Sequence, residues 1–411
     1  MERCLEAVNQ QTKVIKNGAP RLGIGEILRQ GRVNKRLTQT STASLAGVPR
    51  RYLSLVERGL RSPEPEVLIR LAHQLDISSG TWVPCMAREE YKFDRLAEIG
   101  RALLAEDDFK GAGLALARAL SIGRRGPDTH ALAEVHHLVG QLHFQLGRYE
   151  RALTAFERYA CMAEHIADPT ALGTAAYRLG RTLGMLSQGM DAIRKFEQSA
   201  RLFGSLHMPS HLGHAWLGKA EILFHMHLYA DALESYQRAG RLLRRMPFRG
   251  QIALGSAVCS LAVLGPEAGL RAAHDVMSLR EADPATQAIG RECAAVALRH
   301  LKRYDGALAE LADALIWRQQ LAAELVAGLL AERALCQTLT GDRDGARRTV
   351  EEYRLMQDSS TGVDLGAMNI LALVLGVEPV DSPIPSQLQD GPAQRLTTAL
   401  ALLYQTSDDT A

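Results

Sequence analysis

LGRYERALTAFE, residues 146–157, is a phrase that the chain repeats. Echoes stand at 227–237 (HLYADALESYQ), 302–312 (KRYDGALAELA) and 341–351 (GDRDGARRTVE), with looser copies at 107–117 (DDFKGAGLALA) and 188–198 (QGMDAIRKFEQ). The central alanine falls at Ala112, Ala152, Ala192 and Ala232, an even step of 40, and again at Ala307 and Ala346. Between Ala232 and Ala307 lie about two steps, which hold a poorly conforming copy, LGPEAGLRAAH at 264–274. A fixed period of this length predicts a solenoid. Each copy is one helical pair that cannot bury its apolar face alone and stacks on its neighbours.

Each copy places a Gly or Ala in a first helix, a turn, then Ala with Phe or Tyr four residues later in a second helix. Small residues let the paired helices close, and the aromatic fills the neighbouring groove. This pattern resembles the tetratricopeptide repeat, with Gly140, Tyr149, Ala152 and Phe156 as the clearest set. The step exceeds that family's usual length, which implies either helices lengthened by about a turn each or longer loops. About seven units are expected over 91–378. Residues 379–411 would follow as a linker and a capping helix at 393–405, where Leu396, Leu400 and Leu403 are spaced along one face.

The first helix of each pair lines the concave groove of such an array. Carrying the repeat register across makes Arg101, His137, Gln141, Gln145, Tyr177, Arg181, His214 and Glu221 candidate effector-binding residues, with His225, Glu292 and Arg299 at further groove positions. Polar groups in a curved groove suit an extended peptide, whose backbone amides need partners and whose terminal carboxylate suits an arginine. The same groove could take a protein partner.

The totals agree with an all-α chain. Of 411 residues, 46% are hydrophobic and only 5% aromatic, which favours many helices packed through small side chains over a sheet-rich enzyme core. Six scattered cysteines form no C-x-x-C pair and follow no secretory signal, so reduced thiols in the cytoplasm are expected. Apolar runs such as 366–377 fall short of the ~20 residues that a membrane span requires. A net charge of +2 is too small to coat a nucleic acid. Its distribution says more: residues 21–80 hold ten Lys/Arg against five Asp/Glu.

After an extension at 1–20, that basic stretch reads as four or five short helices, with Thr38 as an N-cap. Its centre is GVPRRYLSLVERG, residues 47–59. Ala43 is small where two helices must approach, Gly47 sits at the sharp turn between them, and Pro49 can open a helix. Leu53 and Val56 then share the core face, leaving Arg50, Arg51, Ser54 and Leu55 on or near the outside. Thr38-Gln39, Ala43, Gly47-Val48, Tyr52-Leu53-Ser54, Glu57-Arg58-Gly59, Pro63 and Leu71-Ala72-His73-Gln74-Leu75 resemble the Xre/Cro-type helix-turn-helix of phage and bacterial repressors, a lambda-repressor-like domain over 21–80 with a linker at 81–90. Two residues depart from that pattern: Thr42 stands where a leucine is usual, and Leu55 where many relatives read a base.

The resemblance implies that the helix starting at Pro49 is a recognition helix. Arg50 and Arg51 would read bases, since a guanidinium can bond guanine O6 and N7 together. Arg58 and Arg61 suit phosphates, and the Thr38-Gln39 turn can offer helix N–H groups to them. Ser54 and Leu55 complete the expected DNA face, Leu55 either against a thymine methyl or within an internal contact.

No P-loop, G-x-S-x-G or HExxH motif is present, and G23-I-G25 lacks the third glycine of a dinucleotide loop. His207, His211 and His214 have helical spacing, but Pro209 interrupts it and no further ligand stands in register. Neither a cofactor, a metal nor an enzymatic activity is expected. A helix-turn-helix head on a tetratricopeptide-type array resembles the bacterial regulators that sense short peptides, including the pheromone-receptor group. It implies a homodimeric, quorum-sensing type of transcription factor on a palindromic operator. The rival reading is an interaction adaptor, in which the array docks a protein and the head is auxiliary.

Overall fold

The computed structural model describes residues 23–86, 93–123, 129–243, 248–279 and 282–357. Within them the chain forms nineteen α-helices and one short 3-10 turn. The extension at 1–20 and the expected capping helix at 393–405 lie outside the described residues. The chain folds as two compact units, divided between Gln188 and Gly189.

The first unit opens with five short helices: α1 (Ile24–Asn34), α2 (Gln39–Leu45), α3 (Arg50–Glu57), α4 (Pro65–Gln74) and α5 (Ser79–Met86). Local chemistry sets their ends. The Thr38 hydroxyl accepts the Ser41 N–H and so caps α2. Gly47 turns the chain at φ 65°, and the Val48 N–H closes on the Ala43 carbonyl at 2.9 Å. Pro49, extended at φ −63° and ψ 142°, then launches α3. Leu53 and Val56 are buried together with Ile24, Leu28, Leu68 and Leu71. At Gly25 any Cβ would collide with the Val56 carbonyl, so α1 lies directly on the backbone of α3.

Residues 81–86, expected as the start of a linker, are helical. Trp82 and Val83 are buried, and α5 packs on α7 (Phe109–Gly123). α4 likewise packs on α6 (Phe93–Ala105). One apolar cluster runs from Ile24 through Trp82 to Leu142, so the head and the first repeat helices share a core. Burial of an aromatic and a valine holds this stretch in place where a free linker would expose both.

The first unit continues with α8 (Thr129–Gln145), α9 (Tyr149–His165) and α10 (Pro169–Met185). The second contains α11 (Gly189–Ser205), α12 (Pro209–His225), α13 (Tyr229–Leu242), α14 (Phe248–Leu264), α15 (Pro266–Met277), α16 (Pro284–His300), α17 (Tyr304–Leu315), α18 (Ala323–Leu339) and α19 (Arg343–Gln357). From α6 onward these are fourteen helices, two for each of seven copies. The helices α8 to α12 are each 17 residues long. Three-residue turns separate them, which accounts for the 40-residue step: the helices are lengthened and the turns are not. The middle residue of each turn, Gly147, Ala167, Ser187, His207 or His227, is left-handed, with φ between 54° and 67°. In each turn the next N–H bonds back to the preceding helix, as Arg148 does to the His143 carbonyl at 2.8 Å.

Packing between successive helices, within a pair and from one pair to the next, follows the small-against-aromatic pattern. Gly140 faces the ring of Phe156, and in the second unit Gly218 faces Phe196 and Gly255 faces Tyr236. The three rings are almost fully buried. Among the described residues no helix is long and apolar enough to cross a membrane.

Candidate functional site

On the head, α3 leaves Arg50 and Arg51 exposed to solvent, with Ser54 and Leu55 half-buried beside them. Leu53 and Val56 anchor the opposite face, so the two arginines are held on a fixed helix. Arg58 and Arg61 are exposed on the segment that follows. Thr38, also exposed, pairs its hydroxyl with Ser41 Oγ at 2.9 Å while capping α2. The Gln39 side chain turns inward: its Nε2 donates to Glu57 Oε2 at 2.7 Å. That amide serves the interior of the head.

The partner of Gln39 is the centre of a network that composition hid. Arg32 Nε donates to Glu57 Oε1 at 2.6 Å, its Nη2 to Oε2 at 3.0 Å, and its Nη1 to the Leu37 carbonyl at 2.9 Å. Arg32, one turn after the buried Leu28, is therefore tucked in; its guanidinium pKa is raised by the hydrogen bond to Glu57, burial opposing. Thr42 is fully buried, and its hydroxyl has no hydrogen-bond partner. The leucine expected there would have brought no such polar atom.

In the first unit several of the named groove residues converge. Arg101 on α6 pairs with Glu134 on α8. One turn further along α8, His137 stacks on Tyr159 of α9 with ring centroids 5.0 Å apart, and its Nε2 is buried without a hydrogen-bond partner. Burial lowers its pKa to about 3, and the charges of Arg178 and Arg101 push the same way. Arg181 on α10 is buried with its guanidinium 4.9 Å from the Phe144 ring centroid. Tyr177 and Gln141 are half-buried, and Gln145 is exposed in the last turn of α8. Arg178 was not foreseen; it lies one helical turn before Arg181, a spacing that could have marked it.

In the second unit Glu221 is buried on α12 and accepts from Gln251 Nε2 of α14, while His214 meets Phe248 edge-on at 4.7 Å. Glu292 is buried on α16, and Arg299 pairs with Glu332 of α18. The three histidines with metal-like spacing disperse: His207 lies in a turn, His211 rests on Phe203, and His214 on Phe248. Among the described residues no group of three or more His, Cys, Asp or Glu side chains could hold a metal ion.

Residues 28–82 match the helix-turn-helix family model. The chain is thus all-α, a helix-turn-helix head of the Xre type followed by a solenoid of tetratricopeptide-like repeats. Among solved structures, the apo form of RapI is similar over 76% of this chain and 86% of its own, at 15% identity and a TM-score of 0.54. The C-terminal part of a TPR repeat-containing protein from Cytophaga hutchinsonii is 10% identical over 64% of this chain and 96% of its own, with a TM-score of 0.49. The apo form of the quorum sensor NprR from B. thuringiensis is 14% identical over 68% and 80%, with a TM-score of 0.48. No curated protein matches by sequence.

Proposed function

We propose that this chain is a sequence-specific DNA-binding transcriptional regulator whose array binds an effector that modulates DNA binding. The observation that carries the reading is the pair Arg50 and Arg51, exposed at the start of a helix whose opposite face is locked into the core. Such a helix fits the major groove, and each good bidentate contact is worth about 1–3 kcal/mol of base discrimination. Arg58, Arg61 and the capped start of α2 supply phosphate contacts around it. Dimerisation would set two such helices about 34 Å apart on a palindromic site.

The effector, on this reading, is a short peptide. Arg101, His137, Arg178 and Arg181 give the first unit polar and cationic chemistry suited to backbone amides and a carboxylate. Within the second unit, His214 and Glu221 offer polar chemistry of their own. Coupling requires that the peptide bind two states of the array with different affinity.

Selection of bound duplexes from a random-sequence pool tests the first half: the wild type enriches a palindromic motif, and the double variant Arg50→Ala, Arg51→Ala enriches none while remaining folded. A wild type that enriches no motif, yet captures a protein through the array, favours the adaptor. Titrating the selected duplex complex with a degenerate pentapeptide library tests the second half. The library shifts wild-type affinity, and His137→Ala or Arg181→Ala removes the shift without changing apo affinity.

A further inference from the structure

The segment between α3 and α4 is held from two sides. From α3, the Tyr52 hydroxyl accepts the Glu64 N–H at 3.1 Å, and the Arg61 guanidinium stands 4.5 Å over the Tyr52 ring. From α6, the first helix of the array, Arg95 Nη1 donates to Glu64 Oε2 at 2.9 Å and Nη2 to the Pro63 carbonyl at 2.7 Å. Arg58, Leu60, Arg61 and Ser62 themselves are exposed. Gly59, left-handed at φ 69°, turns the chain into this stretch. A surface segment of five exposed residues, 58–62, would ordinarily be mobile; here its far end is bonded to a repeat helix and its one stacked side chain to the helix that displays Arg50 and Arg51.

We infer that Tyr52 and Arg95 are positioning residues that hold Arg61 in register with a DNA phosphate, so that the first array helix acts directly on the DNA-contacting segment. This rests on the DNA-binding reading above. A long arginine loses rotamer freedom when it binds, and a ring that already fixes the guanidinium lowers that cost. Arg95 does the same for the backbone that carries it: with Pro63 and Glu64 tied down, Arg61 departs from a fixed point. The arrangement also supplies a path from array to DNA. Arg101, one and a half turns along the same helix, pairs with Glu134 on α8 beside His137, so a shift of α6 against α8 reaches Arg95 and the segment it holds.

The test uses the full chain and a random-sequence 30-base-pair duplex, because binding to phosphates needs no operator. Anisotropy titrations over a salt series give the slope of log K against log salt, which falls by about 0.9 for each phosphate that is no longer neutralised. Arg61→Ala should lower the slope by that amount. Arg95→Gln and Tyr52→Leu should lower it by up to the same amount, with no further loss when either is combined with Arg61→Ala; Tyr52→Phe, which keeps the ring, should retain the slope. Circular dichroism melts confirm that each variant is folded. The inference is overturned if Arg95→Gln and Tyr52→Leu keep the wild-type slope, or if their losses add in full to that of Arg61→Ala. A wild type with no salt-dependent binding overturns the DNA-binding reading itself.

Discussion

Arg32 and Glu57, 25 residues apart in sequence, form a two-point ion pair inside the head, with Nε to Oε1 at 2.6 Å and Nη2 to Oε2 at 3.0 Å. Gln39 completes the shell of the carboxylate. Two helices, α1 and α2, are thereby tied to the last residue of α3, the helix that carries Arg50 and Arg51. The aim of those two arginines depends on this interior network as much as on the apolar packing of Leu53 and Val56.

Breaking the pair from one side should therefore cost more than removing it. Arg32→Met leaves a carboxylate that is almost completely buried without its cation, and loss of one partner of a buried pair costs about 3–5 kcal/mol. The double variant Arg32→Met, Glu57→Leu should recover much of that loss. Hydrogen exchange of the amides of residues 24–75 reads local stability without assuming that the whole chain unfolds in one step. Equal losses in the single and double variants would contradict the argument.

Thr42 gives the opposite sign. Its hydroxyl is fully buried and unbonded, and such a group costs about 1–3 kcal/mol of desolvation. Thr42→Val keeps the shape and removes the polar atom, so slower exchange across α1 to α4 is expected, with a gain of about 1 kcal/mol. Faster exchange would show that the hydroxyl has a partner in solution.

Gly25 is required for approach, not for flexibility. A methyl group there would strike the carbonyl of Val56, which is backbone and has little room to yield. Gly25→Ala should destabilise the head by about 1–3 kcal/mol, the usual range for overpacking, and should displace α3. Chemical shifts of Val56 and Glu57 amides would report the displacement; unchanged shifts with full stability would refute it.

These residues mark what could be read from the chain alone. Ala43, Gly47, Pro49, Leu53 and Val56 were legible because each answers to local geometry: a close approach, a left-handed turn, a helix start, a face repeated every three or four residues. The 40-residue step fixed the solenoid, and Gly140 against Phe156 is the packing it implied. The step alone could not separate longer helices from longer turns, since both give the same spacing. Arg32 was hidden among forty arginines because its partner is distant in sequence. Helix α5 was missed because Trp82 is buried only once α7 lies against it, and Tyr52 and Arg95 were missed because their bonds reach partners far along the chain, those of Arg95 crossing from repeat to head.

The array makes its own prediction through α8, which carries three histidines of lowered pKa. Burial is the first cause for each: His136 falls to about 4, with Arg158 adding to it; His137 to about 3, with Arg178 and Arg101; His143 to about 4, with Arg151 and Arg148. In the unfolded chain they would titrate near 6.5. Between that value and about 4 the unfolded state holds protons that the folded state lacks, so stability rises with pH across this window. The contribution is complete above pH 6.5 and is lost as pH falls below it, at up to about 1.4 kcal/mol per pH unit for each histidine, and less for His143, which solvent partly reaches. Melts of the full chain should therefore shift to lower temperature between pH 7 and pH 5, above the range in which ordinary carboxylates titrate. His137→Gln, which cannot take up the proton, should flatten that dependence while leaving its direction to His136 and His143. A melting temperature that stays level from pH 7 to pH 5 would mean that these imidazoles are charged or solvated in the folded chain, and that α8 does not bury them as described.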